Sequence, residues 1–175
     1  TLPTPQKEGY VFDGWYTAET NGQKVTENTV GNQTITTVYA RWTPLTVTVY
    51  LQASGASLEK DRITVTYGKN YEELPEPKKD KFEFDGWYTD YNEGSRITNG
   101  FRVDITSSIT LYARWKGEKV SVDFNPAGAE SKPKTLQAEF GREYGELPEL
   151  TREGYVFAGW YHGEDGTDKI TADTV

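Results

Sequence analysis

A motif that returns at a nearly constant interval constrains this chain more than any other feature. Trp15, Trp87 and Trp160 each stand between a Gly and a Tyr, and a Leu-Pro pair precedes each of them at one fixed spacing. A second block, Tyr-Ala-Arg-Trp, ends at Trp42 and returns with the same period at Trp115. A unit of about 72 residues is longer than a solenoid turn and has the size of a minimal domain. The sequence therefore predicts small domains in tandem.

The repeat divides the chain into three copies of different completeness. We predict a partial repeat at 1–42, a complete repeat at 43–115 and a partial repeat at 116–175 that lacks its last strand. This phase indicates a fragment of a longer protein. Because exposed apolar strand edges invite pairing, the two incomplete copies also predict self-association by strand addition.

The complete copy predicts four strands. Apolar residues alternate with Thr and Tyr over 47–51 and over 63–67, which is the pattern of two half-buried strands joined as a hairpin. A third strand follows over 82–87, and a final strand over 109–115 carries Leu and Ala on one face. An Asn-Gly, Glu-Gly or Asp-Gly pair marks the turn after the third strand in each copy.

The connection at 68–77 limits helix formation. Pro75 and Pro77 restrict any helix there to about one turn, because proline fixes φ and has no backbone donor. Four strands with one reduced helix predict an α+β, mainly β class with a β-grasp sheet, in which the first hairpin lies beside the last strand. A small β-sandwich is the alternative, although it needs more strands than the pattern provides.

The two blocks together resemble a known family. Gly-Tyr-x-Phe-x-Gly-Trp-Tyr, followed later in the copy by Tyr-Ala-Arg-Trp, is similar to the Listeria–Bacteroides repeat found in internalin-type surface proteins. The resemblance implies ubiquitin-like β-grasp repeats in secreted or cell-wall-attached bacterial proteins, acting as stalks or as adhesion modules. It implies an extracellular location and no catalytic residues. Ala158 and His162 depart from the Asp and Thr of the other copies, so a binding role at these positions would not be uniform.

Composition excludes several function classes. The net charge is −8, which disfavours nucleic acid as a partner. The chain has no Cys and one His, so it offers neither a thiolate nucleophile nor a multi-His metal site. No apolar run approaches the roughly 20 residues that a membrane span needs. We expect no enzyme activity, no cofactor and no metal, and the acidic loops at 90–93 and 164–168 lack the spacing of a calcium loop.

Aromatic residues, 14% of the chain, are either core or ligand surface. We interpret the Trp residues as core and the outward rings as the better ligand candidates. The candidate contacts with a neutral glycan, a host protein or a bacterial surface protein are Tyr16, Tyr88, Tyr161, Tyr39, Tyr112, Arg41 and Arg114. Cross-strand pairing of the Tyr rings and cation–π pairing of the two Arg residues are the structural alternatives. Neighbouring repeats are the other expected partners.

Overall fold

The computed structural model of the chain describes residues 2–26, 29, 37–163 and 166–175. Within these residues it is built from strands, and none of them forms a helix. The strands are β1 (Tyr10–Tyr16), β2 (Tyr39–Pro44), β3 (Thr46–Gln52), β4 (Arg62–Thr66), β5 (Phe82–Tyr88), β6 (Arg96–Ile97), β7 (Ile109–Gly117), β8 (Lys119–Val122), β9 (Leu136–Glu139), β10 (Trp160–His162) and β11 (Asp168–Ile170).

The middle copy forms a five-stranded sheet with the order β4-β3-β7-β5-β6. Strands β3 and β4 form the predicted antiparallel hairpin, with Val49 opposite Ile63. Strand β7 lies parallel to β3, with Leu51 opposite Leu111, so the first hairpin lies beside the last strand. The period-two pattern of the sequence places one face of each strand on the core.

The core of the middle copy is small and tightly covered. Val49 and Leu111 have no exposed surface, and Trp87 is 2% exposed. These residues come from β3, β7 and β5, the three central strands of the sheet. The predicted core role of the second motif Trp is therefore confirmed in this copy.

A glycine before each motif Trp bends its strand. Between β1 and β2 the register shifts from Phe12 to Gly14, which marks a β-bulge, and Gly14 has φ of 139°. Gly86 and Gly159 have φ of 147° and 120°. Residues other than glycine rarely adopt such φ angles. The backbone conformation therefore requires the Gly of Gly-Trp-Tyr.

The connection between β4 and β5 differs from the prediction, because no helical turn forms there. Instead, Gly68 donates its backbone N–H to the carbonyl of Val103 at 2.8 Å, and Tyr71 donates to Phe101 at 2.8 Å. Val103 returns a hydrogen bond to the carbonyl of Lys69 at 2.8 Å. These backbone groups find partners across the chain rather than along a helix, and the two prolines that follow remove further helical donors. The α component of the predicted class is wrong, and the described structure is all-β.

The outer copies form smaller sheets. In the first copy β1 pairs antiparallel with β2, and in the third copy β8 pairs with β9 and β10 with β11. Packing divides the chain into two compact units: Thr1–Pro77 with Gly86–Arg114, and Lys78–Asp85 with Trp115–Val175. The short segment Lys78–Asp85 of the middle copy therefore packs within the unit that contains the third copy.

Candidate functional site: clasps, junctions and relatives

The predicted contact residues Tyr88 and Arg114 lie against each other. The Arg114 guanidinium carbon is 3.9 Å from the centre of the Tyr88 ring. Arg114 also donates hydrogen bonds to the carbonyls of Asp90 and Tyr91, at 3.1 and 3.2 Å, and reaches that of Glu93. We call this arrangement, an Arg stacked on a Tyr and bound to the loop after it, the arginine clasp. It closes the turn that follows β5.

The first copy repeats the arginine clasp. The Arg41 guanidinium carbon lies 3.9 Å from the Tyr16 ring centre, and Arg41 donates to the carbonyls of Ala18 and Glu19 at 3.2 Å each. The cation–π pairing that the sequence offered as the structural alternative is confirmed for both Arg residues. In each pair the guanidinium covers one face of the Tyr ring. Whether the exposed parts of these rings also bind a ligand stays a prediction.

Two of the other candidate tyrosines are exposed. Tyr39 is 40% and Tyr161 is 37% exposed. Tyr112 is half-buried and makes an edge-to-face contact with Tyr91 at 6.4 Å. The structure does not bring the seven candidates together in one site; it distributes them over the copies.

The loop after β5 also contains the acidic run at 90–93. The backbone N–H groups of Glu93 and Asn92 donate to the Asp90 carboxylate and hold its pKa below the usual value. This carboxylate therefore caps its own loop. Among the described residues no group of three or more acidic or His side chains could hold a metal ion. Glu164 and Asp165 of the second acidic loop lie outside the described residues.

Each motif Trp makes a hydrogen bond that the sequence analysis missed. The indole Nε1 donates to the carbonyl of the Pro 12 residues earlier, over 2.7 to 2.8 Å. The pairs are Trp15 with Pro3, Trp87 with Pro75, and Trp160 with Pro148. The signal was present in the fixed distance between the Leu-Pro pair and the Trp.

The first copy contacts the middle copy around Leu45, the residue between β2 and β3. Its N–H donates to the carbonyl of Gly9 at 2.9 Å, and its carbonyl accepts from Tyr67 at 2.8 Å. The Tyr10 and Tyr67 rings meet edge to face with centres 5.7 Å apart. We call these four residues the first junction, because they tie a turn of one copy to the hairpin of the next.

The second junction has the same construction with different side chains. Glu118, between β7 and β8, donates to Lys81 at 3.0 Å and accepts from Phe140 at 2.9 Å. Phe82 and Phe140 meet edge to face at 5.4 Å. The linker at each junction is therefore a single residue whose backbone is hydrogen-bonded on both sides, which limits its freedom to bend.

The turn at each junction also carries a cation. Lys7 and Lys79 place Nζ 4.0 and 4.4 Å from the ring centres of Tyr10 and Phe82. In the third copy Arg152 lies 4.1 Å over Tyr155, whose side chain is 67% exposed. The recurrence of a basic residue three positions before the aromatic was the sequence signal for this turn.

Comparison with known proteins identifies the repeat. The family model of the Listeria-Bacteroides repeat domain matches residues 1–41, 48–114 and 121–175. The chain is 30% identical over 165 residues to the "Putative Gly-rich membrane protein" of Evansella cellulosilytica, covering 91% of this chain and 18% of that protein. A "Putative membrane protein" of the same organism is 33% identical over 131 residues, which cover 73% of this chain and 19% of that protein.

Internalin H of Listeria monocytogenes is 33% identical over 114 residues, covering 63% of this chain and 20% of that protein. The chain thus spans about a fifth of the length of these curated relatives. The segments that the family model matches contain the Gly-Trp-Tyr blocks, the arginine clasps and the indole–proline hydrogen bonds described above. The chain belongs to the Listeria–Bacteroides repeat family and carries three copies of its repeat domain.

Proposed function

We propose that this chain is a non-catalytic spacer in a bacterial surface protein, with repeats that set the distance between the cell wall and a distal domain. The observation that carries the proposal is the recurrence of one junction. Both junctions use a single linking residue with backbone hydrogen bonds on each side and an edge-to-face aromatic pair. Such a junction restricts bending, which a flexible linker does not.

The two junctions keep their geometry while their side chains change. Tyr10 and Tyr67 are replaced by Phe82 and Phe140, yet the ring centres stay 5.7 and 5.4 Å apart. The exchange preserves the ring contact and removes both hydroxyl groups, so the contact does not depend on polar groups. This favours a mechanical role for the junction over recognition of a ligand.

Small-angle X-ray scattering tests the spacer. We would measure this chain and a chain that repeats residues 43–115 once and twice more in the same phase, together with light scattering. The spacer proposal expects a monomer whose maximum dimension rises by an equal step with each added repeat. A particle whose radius of gyration grows only as a compact sphere, or which oligomerises, contradicts the proposal.

A pair of variants tests the junction itself. Tyr67→Ser removes the ring that contacts Tyr10, and Tyr50→Ser changes an exposed ring on the same hairpin. We expect Tyr67→Ser to add interdomain flexibility in the scattering profile and Tyr50→Ser to leave the profile unchanged. Equal profiles for both variants would show that the ring contact at the junction does not restrict bending.

We also propose the β-grasp assignment and the cell-surface location. The strand order β4-β3-β7-β5, with β3 parallel to β7, supports a β-grasp sheet without its helix. The names of the relatives, an internalin and two membrane proteins, support a place at the bacterial surface. Among the described residues no helix has the length and apolar content to cross a membrane. Surface labelling of intact cells that express the parent protein checks the location.

A second candidate function is adhesion, through contact with a neutral glycan or a host or bacterial surface protein. The exposure of Tyr39 and Tyr161 supports it, because an open Tyr offers a ring face and a hydrogen-bonding tip. Repetition would multiply weak contacts. A glycan array and a surface-protein pull-down with a multivalent form of the chain test this candidate. Signals that persist in Tyr39→Ser and Tyr161→Ser would assign adhesion to other residues.

A further inference from the structure

The first and last strands of the middle copy lie side by side. Strand β3 begins directly after Leu45 of the first junction, and β7 ends directly before Glu118 of the second junction. The two strands are parallel, and residues 49–52 of β3 stand opposite residues 109–112 of β7. We call these two segments the terminal pair. The chain therefore enters the middle copy at one end of the terminal pair and leaves it at the other end.

The parallel arrangement decides how a pull on the two ends of the copy reaches the sheet. Tension draws the start of β3 and the end of β7 in opposite directions along the strands, so the strands must slide past each other before either can leave. The hydrogen bonds of a parallel pair are evenly spaced along it, and sliding loads all of them together. In an antiparallel pair both ends would lie at the same edge of the sheet, and the bonds would open one after another.

Both strands of the terminal pair are interior strands of the sheet. In the order β4-β3-β7-β5-β6, β3 is held by β4 on its other side and β7 is held by β5. The contact between β3 and β4 runs from Thr46 opposite Thr66 to Tyr50 opposite Arg62. Because each strand has a neighbour on both sides, neither can swing away from the sheet as an edge strand can.

The core closes one face of the terminal pair. Val49 and Leu111 have no exposed surface, and Leu51, which stands opposite Leu111, is 6% exposed. A backbone hydrogen bond is stronger in such an apolar environment than in water. Tension on the middle copy therefore loads hydrogen bonds that are shielded from water on this face.

We propose that the middle copy is a tension-bearing module, in which the terminal pair is a mechanical clamp that resists extension in shear. This inference rests on the proposed spacer function and extends it, because a spacer that is held at both ends carries any force between them. The load passes into β3, across the terminal pair and out through β7. Strands β4, β5 and β6 carry little of the load until the terminal pair breaks.

Single-molecule force spectroscopy of the full chain tests the clamp. The chain has no Cys, so two introduced Cys residues define where the force is applied. Thr46→Cys with Glu118→Cys pulls the terminal pair in shear, whereas Thr46→Cys with Ser108→Cys pulls the starts of both strands apart. All three positions are exposed and lie outside the terminal pair. The chain between the attachment points has an extended length of about 240 Å in the first case and about 210 Å in the second, which identifies each unfolding event.

The two pulling directions should give different rupture forces. We expect the shear direction to need at least about twice the force of the peeling direction at the same loading rate, because only shear loads the hydrogen bonds of the terminal pair together. The Trp87 indole signal verifies that each Cys variant is folded before it is pulled. Equal forces in the two directions would overturn the proposal.

Two valines separate the clamp from the overall stability of the copy. Val49 lies in the terminal pair and Val103 in the connection between β6 and β7, and both are 0% exposed. Val49→Ala and Val103→Ala remove the same atoms from the core, so both should lower the urea midpoint. Forced unfolding follows the rate of unfolding rather than the equilibrium stability. Val49→Ala should therefore lower the shear force by about a fifth, while Val103→Ala should leave it nearly unchanged.

An equal fall in force for the two valine variants would show that the force reflects general stability, and this result would also overturn the clamp. The scattering experiment on added repeats can fail separately from the force experiment. A monomer that lengthens in equal steps but breaks at the same force in both directions keeps the spacer and refutes the clamp. A compact particle in scattering refutes the spacer, and with it the tension-bearing role, even when the shear force is high.

Discussion

Replacement of Gly86 by Ala tests whether the bend before the motif Trp is as demanding as the structure implies. Gly86 has φ of 147°, and a Cβ built on it would lie 2.5 Å from Nε of Arg96. The backbone strain alone costs about 1 to 3 kcal/mol, and the Arg96 side chain must also move aside. We expect Gly86→Ala to lower the free energy of unfolding by about 2 to 4 kcal/mol.

Gly55→Ala is the matched control. Gly55 has φ of 80°, and a Cβ there would meet no atom within 4 Å. The left-handed strain of about 1 kcal/mol is largely offset by the lower entropy of the unfolded chain. We therefore expect a loss within about 1 kcal/mol for this variant.

The assay is urea unfolding followed by the indole N–H signals of the five Trp residues. Separate signals are needed because neighbouring repeats can unfold in separate steps. The Trp87 indole, bonded to Pro75, reports the middle copy. A double variant, Gly86→Ala with Arg96→Ala, should recover the steric part of the loss and leave the strain. Equal losses for Gly86→Ala and Gly55→Ala would show that the bend before the motif Trp does not require glycine.

Further substitutions separate other contributions to stability. Trp87→Phe should lower the free energy of unfolding by about 2 to 4 kcal/mol, because it loses an indole hydrogen bond in a fully buried site. Trp115→Phe should cost about 1 kcal/mol or less in the same urea assay, because its buried Nε1 has no hydrogen-bond partner among the described residues. Arg114→Lys should cost about 1 to 2 kcal/mol, since Lys cannot form the forked hydrogen bonds of the clasp. Arg62→Lys, in an exposed ion pair, should leave the stability nearly unchanged. Burial raises the pKa of Tyr71 above its ordinary value of 10.0. The unfolded chain therefore loses the phenol proton at a lower pH than the folded chain does. The free energy of unfolding should fall as the pH rises above 10.0. Tyr71→Phe should make this alkaline decline shallower in a series of melts between pH 9 and 12, and an unchanged slope would show that the phenol is not the cause.

The repeat pattern predicted much of the fold because strand periodicity is a local property. The alternating residues at 47–51 and 63–67 fall in β3 and β4, and the final strand at 109–115 falls in β7. The predicted helical turn does not form, because its backbone groups hydrogen-bond to residues 100–103 instead. No local pattern in 68–77 reports partners that lie so far along the chain, beyond β5 and β6.

The candidate site was predicted less well. The sequence predicts Tyr88 and Arg114 as candidate contacts and cation–π pairing of the Arg as the alternative, but it does not indicate which ring the Arg covers. The structure stacks Arg114 on Tyr88, which belongs to a different strand. The side chain of an Arg reaches across a sheet, so its partner depends on strand order rather than on sequence distance.

The family, the repeat length and the positions of the strands can be predicted from the sequence, since they follow from recurring residues and from the two-residue period of a strand. Which copies and strands contact one another depends on the tertiary structure. It places Leu45 and Glu118 between hydrogen-bond partners on both sides, and it stacks Arg41 and Arg114 on tyrosines of other strands. Contacts of this kind join residues far apart in the chain, and no local rule of sequence encodes which of them will meet.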